Sequence, residues 1–328
     1  MVLRAAIAAL MAAVAIVAGG PAEAVAVTPV AGAVAEAVVA APVVRYVGLG
    51  ACLQDDGGRH PCGPWKVWLS NGRVVALPEA RRTVAPGEYV TQAVVDVSQD
   101  GAQVAYFRER DGVLMIWKAA TGKARPASKV HWPDDMQMTW LTLSPGGRFV
   151  GLRGLLPSGR EVERLVDTTK GKAFTLPKGY QSWGFSPDGG RMLAGNNRTA
   201  VLYATGTWKV KLRRSVYTRG ALGPGGVTVA GIRASDSASR KNAVLLRNLA
   251  TGKKTTIPFL LGKGERLLAT RWDKAGHVDV LTRVDRGSGS AYRRTHTWYR
   301  LDRTTHRLRR LDSFVIPASV GGYVLTAP

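Results

Sequence analysis

From Val43 onward the chain alternates short apolar runs with turns bearing Gly, Pro, Asn and Asp, a pattern that predicts β-strands throughout. It is sharpest at Trp183–Gly195. There an apolar strand ends in Phe185, Ser186-Pro187-Asp188-Gly189 reverses the chain, and a second apolar strand leaves. Pro187 fixes φ at the first central turn position, and Gly189 accepts the positive φ that closure requires. Related turns stand at Ser98–Gly101, Ser144–Gly147, Gly223–Gly226 and Asp273–Gly276, with a weaker sixth at Ser319–Gly322. They recur about every 44 residues, within the spacing of propeller blades with four strands each.

A second anchor alternates with the first: an apolar strand running into a Thr-Gly-Lys-like hairpin. It occurs at Thr121-Gly122-Lys123, Thr169–Lys172, Thr205-Gly206, Thr251-Gly252-Lys253 and Thr304-Thr305-His306, and ahead of them all at Asn71-Gly72-Arg73. Strands closing in Leu77-Pro78, Leu176-Pro177 and Ile257-Pro258 suit an outer position, where proline's missing N–H leaves no ladder bond unmade. The first hairpin has no Ser-Pro-Asp-Gly turn before it, and the last such turn has no hairpin after it. The two chain ends therefore complete one blade between them. This predicts an all-β, six-bladed propeller of four-stranded antiparallel blades, closed by N- and C-terminal strands so that no edge is left unpaired. Five or seven blades also fit, because Val43–Leu49 and residues 319–328 each admit more than one strand assignment.

Ahead of the repeats, residues 1–24 read as a secretory signal. Arg4 precedes an apolar stretch, Ala5–Val17, that is short for a membrane span, and Ala22-Glu23-Ala24 offers a cleavage site. An uncleaved anchor is the competing reading. Residues 25–42, almost all Ala, Val, Pro and Gly, read as a linker, which leaves 43–328 as the propeller domain. Nothing later is long and apolar enough to cross a bilayer, so a monomer secreted or held at the cell envelope is expected. In that compartment the closely spaced Cys52 and Cys62 favour a disulfide. A metal site using both thiols and His60 lacks a fourth ligand, and Asp55-Asp56 lacks the alternating spacing of a Ca²⁺ loop. No metal or cofactor is expected.

The unit of strand, Ser-Pro-Asp-Gly turn, strand, connection, strand, Thr-Gly-Lys turn and strand resembles the TolB-type, WD-like β-propeller repeats of exported bacterial proteins. The resemblance runs from Val43 to the C-terminus and is closest at Trp183–Gly195. The Gly-His and Trp-Asp signatures of WD repeats are absent, since Trp272-Asp273 falls at a turn. What the resemblance implies is a propeller that serves as a protein-interaction platform, an extracytoplasmic binding module or a lid on a hydrolase.

Charge adds a direction. Forty-six Lys and Arg against 23 Asp and Glu give a formal +23, which attracts polyanions at long range. Export would set nucleic acid aside and leave an envelope protein or an anionic polymer as partner. Arg293, Arg294, Arg309 and Arg310, around Trp298-Tyr299, are the candidate polyanion contacts. Strands preceding the Ser-Pro-Asp-Gly turns should line a central channel. Residues one and three before each anchor (Val97 and Val95, Leu143 and Leu141, Phe185 and Trp183, Leu222, Trp272, Ile316) are expected to pack between blades. The alternate positions hold Asp96, Trp140, Thr142, Ser182, Arg219 and Arg271. Asp96, Trp140, Arg219 and Arg271 form a candidate channel-mouth site for an anionic or planar ligand. The plainer alternative is that Asp96 and the arginines satisfy each other and the turn amides. The five histidines show no ligand or catalytic spacing, and Ser158 lacks the Gly-x-Ser-x-Gly elbow. A non-enzymatic binding module is therefore the reading preferred here. A propeller hydrolase or lactonase-like enzyme using Asp96 and His277 is the alternative.

Overall fold

The computed structural model describes residues 41–53, 59–82, 93–133, 137–215, 220–233, 241–288 and 292–325. The signal, the linker, Asp55, Asp56 and Arg219 lie outside the described residues. Strands β1 (Val44–Leu53), β2 (Arg59–Leu69) and β3 (Val74–Leu77) open the fold. Four complete blades follow: β4–β7 (Val95–His131), β8–β11 (Gln137–Thr175), β12–β15 (Gln181–Arg214) and β16–β19 (Ala221–Leu260). A fifth, β20–β23 (Arg266–Pro317), leads into β24 (Val320–Leu325), which pairs antiparallel with β1 and completes the first blade in the order β24-β1-β2-β3. The architecture is a six-bladed β-propeller stitched shut by its two ends.

Both sequence anchors fall where the blade needs them. The five strong Ser-Pro-Asp-Gly-like turns each join the innermost strand of a blade to the second, and the six Thr-Gly-Lys-like hairpins join the third to the fourth. In antiparallel sheets of this order both connections lie on one rim of the ring, here termed the hairpin rim; the other is the loop rim. The serine matters as much as the proline. At Ser186 the hydroxyl accepts the Arg191 amide at 3.0 Å while the carbonyl accepts from Gly189, whose φ of 68° closes the turn. Ser98 and Ser144 accept the Gln103 and Phe149 amides in the same way, at 3.0 and 2.9 Å.

Two expectations are corrected. Ser319–Gly322 is not an inner-strand turn: Val320 already begins β24, and only Ala318 and Ser319 separate it from β23. The close approach here is made possible by a glycine of β1. A Cβ on Gly48 of β1 would sit 2.6 Å from Val320 Cγ1 and 3.0 Å from the Gly322 carbonyl oxygen. The count of six survives because β24 itself supplies the missing inner strand, with Val44–Leu53 as the second strand. Ile316 consequently lies in the outermost strand β23, buried in an inter-blade core and away from the channel.

Among the described residues the core is divided. The buried apolar side chains fall into six clusters, and each draws on two adjacent blades. The sixth closes the ring by packing Leu281, Trp298, Phe314 and Ile316 against Tyr46 and Val320. Tyr46 stacks between Trp68 and Phe314 with centroids at 4.5 and 5.6 Å, and Arg45 grips Asp312 in a bidentate pair at 2.7 and 2.6 Å. Truncation of Phe314 to Ala should therefore lower stability by about 3–5 kcal/mol, read as a reduced urea midpoint. A change indistinguishable from zero would show that the closing interface contributes little.

His296 lies wholly buried in this closure, stacked on Phe314 at 5.5 Å and meeting the Tyr323 ring edge-on at 5.8 Å. Neither ring nitrogen makes a hydrogen bond of ordinary geometry. Burial, reinforced by the positive charges of Arg283 and Arg294, holds its pKa down to about 4. The unfolded chain therefore takes up this proton first as pH falls, so stability present above about pH 6.5 is lost between about 6.5 and 4. In His296→Leu that part of the acid loss should vanish, as measured by melting temperature against pH. Parallel wild-type and variant curves would contradict it.

Candidate functional site

The six innermost strands surround a central cavity of about 750 Å³, to which every blade contributes. Four of those strands carry one extra residue relative to the neighbouring second strand. The irregularities fall between Met138 and Trp140 in β8, Ser182 and Gly184 in β12, Leu267 and Ala269 in β20, and Val320 and Gly322 in β24. Each extra residue is the second or third of its strand, towards the loop rim. Such bulges re-aim side chains. Trp183, the extra residue of β12, packs against an inter-blade core as expected and also lines the cavity, as does Leu268 of β20.

Asp96, in β4, lines the channel. Its Oδ2 accepts the Leu143 amide of the next inner strand at 2.6 Å. Burial of the carboxyl outweighs that hydrogen bond and pushes its pKa up to about 8. Trp140 lines the same cavity, 55% exposed, with the Arg153 guanidinium 5.6 Å from its ring centroid. Arg271 is not a lining residue. Its Nε lies 3.4 Å from Asp279 Oδ2, and its guanidinium stands 3.9 Å over the Trp298 ring, within its own blade. Arg219 lies outside the described residues. The structure thus brings Asp96 and Trp140 to one cavity and sends Arg271 elsewhere. The plainer alternative holds in part: Asp96 takes a backbone amide and Arg271 a carboxylate, though not each other's charge.

His277 is held on the hairpin rim by Asp273, through Nδ1 at 2.8 Å to Oδ2, and Asp273 also receives Arg300 at 2.6 Å. It does not line the cavity with Asp96. Among the described residues no group of three or more His, Cys, Asp and Glu side chains converges as a metal site. Cys52 and Cys62 are bonded across the β1–β2 connection, with Cα atoms 5.7 Å apart.

Two residues at or beside the channel wall escaped the sequence reading. Gln99 of Ser98–Gly101 stands where three of the other four strong turns have Pro145, Pro187 and Pro224; it is 7% exposed and lines the cavity, and its Nε2 has no partner. That departure from Pro was the available signal. Glu163 of β10 is buried and accepts both the amide, at 2.9 Å, and the hydroxyl of Ser182 in the next blade. Burial raises its pKa despite these bonds.

The basic candidates separate. Arg293 and Arg294 begin β22 at the loop rim, whereas Arg309 and Arg310 pair with Arg300 and Tyr299 towards the hairpin rim. Arg294 is committed to the closure: it donates to the Val320 carbonyl at 3.3 Å and lies 4.8 Å from the Tyr323 ring centroid. Arg293, Arg309 and Arg310 are exposed. The second anchor adds a pattern of its own. Arg73, Lys123, Lys170, Lys209, Lys253 and Arg307, one at each of the six outer hairpins, are all exposed, so the hairpin rim carries a ring of cations.

The chain is thus a β-propeller whose central channel is bordered on one rim by exposed cations. It is similar to solved structures of TolB from Acinetobacter baumannii (13% identity, TM-score 0.47, covering 87% of this chain and 67% of that one) and of a protein described as a TolB from Agrobacterium tumefaciens (12%, 0.47, 88% and 94%). It is also similar to the hydrazine synthase of Kuenenia stuttgartiensis (15%, 0.40, 69% of each chain). No protein-family model and no curated protein matches the sequence.

Asp96 yields a test of the channel wall. Its folded pKa of about 8 means that the native state keeps a proton the unfolded chain gives up near the ordinary carboxylate value. Its contribution is therefore full at acid pH and is lost as pH rises from about 4 to about 8. Asp96→Asn preserves the acceptor for Leu143 and removes that loss, so its melting temperature should overtake the wild type's at alkaline pH. Curves that stay parallel from about pH 5 to about pH 9 would refute the burial account.

Proposed function

We propose that this protein is a non-enzymatic binding module of the cell envelope that holds an anionic polymer on its hairpin rim. The observation that carries the reading is the ring of six exposed cations, one per blade, placed by the repeat itself. A polymer with regularly spaced negative charges can meet several of them at once without any shaped pocket, and weak contacts then multiply. Arg309 and Arg310 extend the ring on the last blade. Export is supported by the Cys52–Cys62 bridge, since such bonds persist in oxidising compartments. It is supported too by the signal-like residues 1–24.

The test is binding of long-chain polyphosphate at several salt concentrations. Replacing Arg309 and Arg310 by Ala should weaken binding and lower the slope of log affinity against log salt by about one unit for each arginine lost. Arg293→Ala, on the opposite rim, should leave both nearly unchanged. Equal effects from the two variants, or none from either, would overturn the placement on this rim.

A further inference from the structure

We propose that the seam between blade β20–β23 and the closing blade is a proton-operated latch: a proton taken up at His296 parts this one seam and loosens β24 while the other blades stay packed. The inference does not depend on what the hairpin rim binds.

The setting of the imidazole carries it. His296 stands opposite Arg283 of β21 and Phe314 of β23, on the face of its blade that meets the closing blade. Phe314 stacks on it at 5.5 Å, and Tyr323 of β24 meets it edge-on at 5.8 Å. From β21 come Arg283 and Asp285, bound to each other at 3.1 Å. On β22 itself Arg294 lies two positions away; its guanidinium stands 4.8 Å from the Tyr323 ring centroid and 5.6 Å from that of Tyr292, and donates to the Val320 carbonyl. On the far side of Phe314, Tyr46 of β1 continues the stack, and Arg45 reaches across the seam to Asp312. His296 is 0% exposed, and neither ring nitrogen has a hydrogen bond of ordinary geometry. A proton added here would meet two disfavouring guanidiniums, and the nearby carboxylate of Asp285 is already claimed by Arg283. A buried charge without a partner is costly. Parting the seam returns the ring to water, so the open state binds the proton more tightly than the closed one.

The other seams respond to acid differently, which confines the effect. Asp96 ties β4 to the Leu143 amide of the next blade, and Glu163 ties β10 to Ser182 of the blade after that. Burial raises the pKa of both carboxyls, so their contribution is largest in acid. The seam between β16–β19 and β20–β23 is held by Thr270 and Trp272 donating to backbone carbonyls, groups that do not titrate. Acid therefore works against the closing seam and not against these three. The strand it frees is also a channel wall, since Tyr323, Val324 and Leu325 line the central cavity. Release of the latch opens the channel from the side, at one blade.

The experiment is hydrogen–deuterium exchange of the full chain, read by mass spectrometry on peptides from each blade and corrected for intrinsic exchange rates. One proton taken up on opening makes opening about tenfold easier for each pH unit below about 6.5. Between about pH 7 and about pH 5, protection of β24 and of its partner residues in β1 should fall by about tenfold or more. Peptides from β4–β7 and β8–β11 should keep theirs. In His296→Leu the fall should be absent. Arg283→Leu removes a positive charge and releases Asp285 to face the imidazole, so the fall should be smaller; this variant tests the latch even where His296→Leu folds poorly. Three results would each overturn the proposal: equal loss of protection in every blade, no loss at about pH 5, or a loss that persists undiminished in either variant.

Discussion

Everything in this fold depends on β24 lying against β1. Each blade buries its faces only against its neighbours, so the ring has no central core to fall back on. The closing contact joins the two ends of the described chain, which makes it the most entropically costly to form and the last to be rewarded. Its composition fits that burden. The Trp68–Tyr46–Phe314 stack supplies large apolar surface, the bidentate Arg45–Asp312 pair fixes register, and Gly48 lets the two backbones approach. His296 is the discordant member, a buried imidazole without a well-formed hydrogen bond. Its neutral form is compatible with the site and its protonated form is not.

Neighbouring blades are also linked near the channel by polar contacts. Asp96 takes the Leu143 amide, Glu163 takes Ser182, Thr270 donates to the Ala230 carbonyl at 2.8 Å and Trp272 Nε1 to the Ala221 carbonyl at 3.1 Å. Apolar faces tolerate sliding, whereas directional bonds hold one angular position. These bonds fix the channel's width and hence the spacing of groups that face it. They also satisfy the Asp96 and Glu163 carboxyls with neutral donors, while a ring of exposed cations stands on the hairpin rim.

The sequence was legible where structure is local. The serine, proline and glycine of a turn, or the Thr-Gly-Lys of a hairpin, determine φ and hydrogen bonds within a few residues, and so the blade boundaries could be read. Two kinds of feature were not local. Gly321-Gly322 looks like a turn because glycine permits positive φ, but the segment is a strand, and only its pairing with the distant β1 decides that. Period-two counting placed Trp183 between blades, where it packs, but could not show that an inserted residue in β12 also brings it to the cavity. Arg271 shows a further limit. In a radial sheet the two faces of an inner strand meet two neighbouring blades, with the channel along the strand's edge. Alternation therefore says which neighbour a residue faces more surely than it says what lines the channel.

The same geometry explains how one short repeat can present two chemistries. A residue in an outer hairpin is free of packing demands, so a lysine or arginine there costs nothing to the ring and is repeated with the motif. A residue on an inner strand is constrained by both adjacent blades, and change there must be accommodated by register. The bulges are that accommodation: they keep Met138 and Leu267 in inter-blade cores while releasing other positions towards the cavity. The rim can thus vary by side chain alone, but the channel varies only when backbone register and side chain change together.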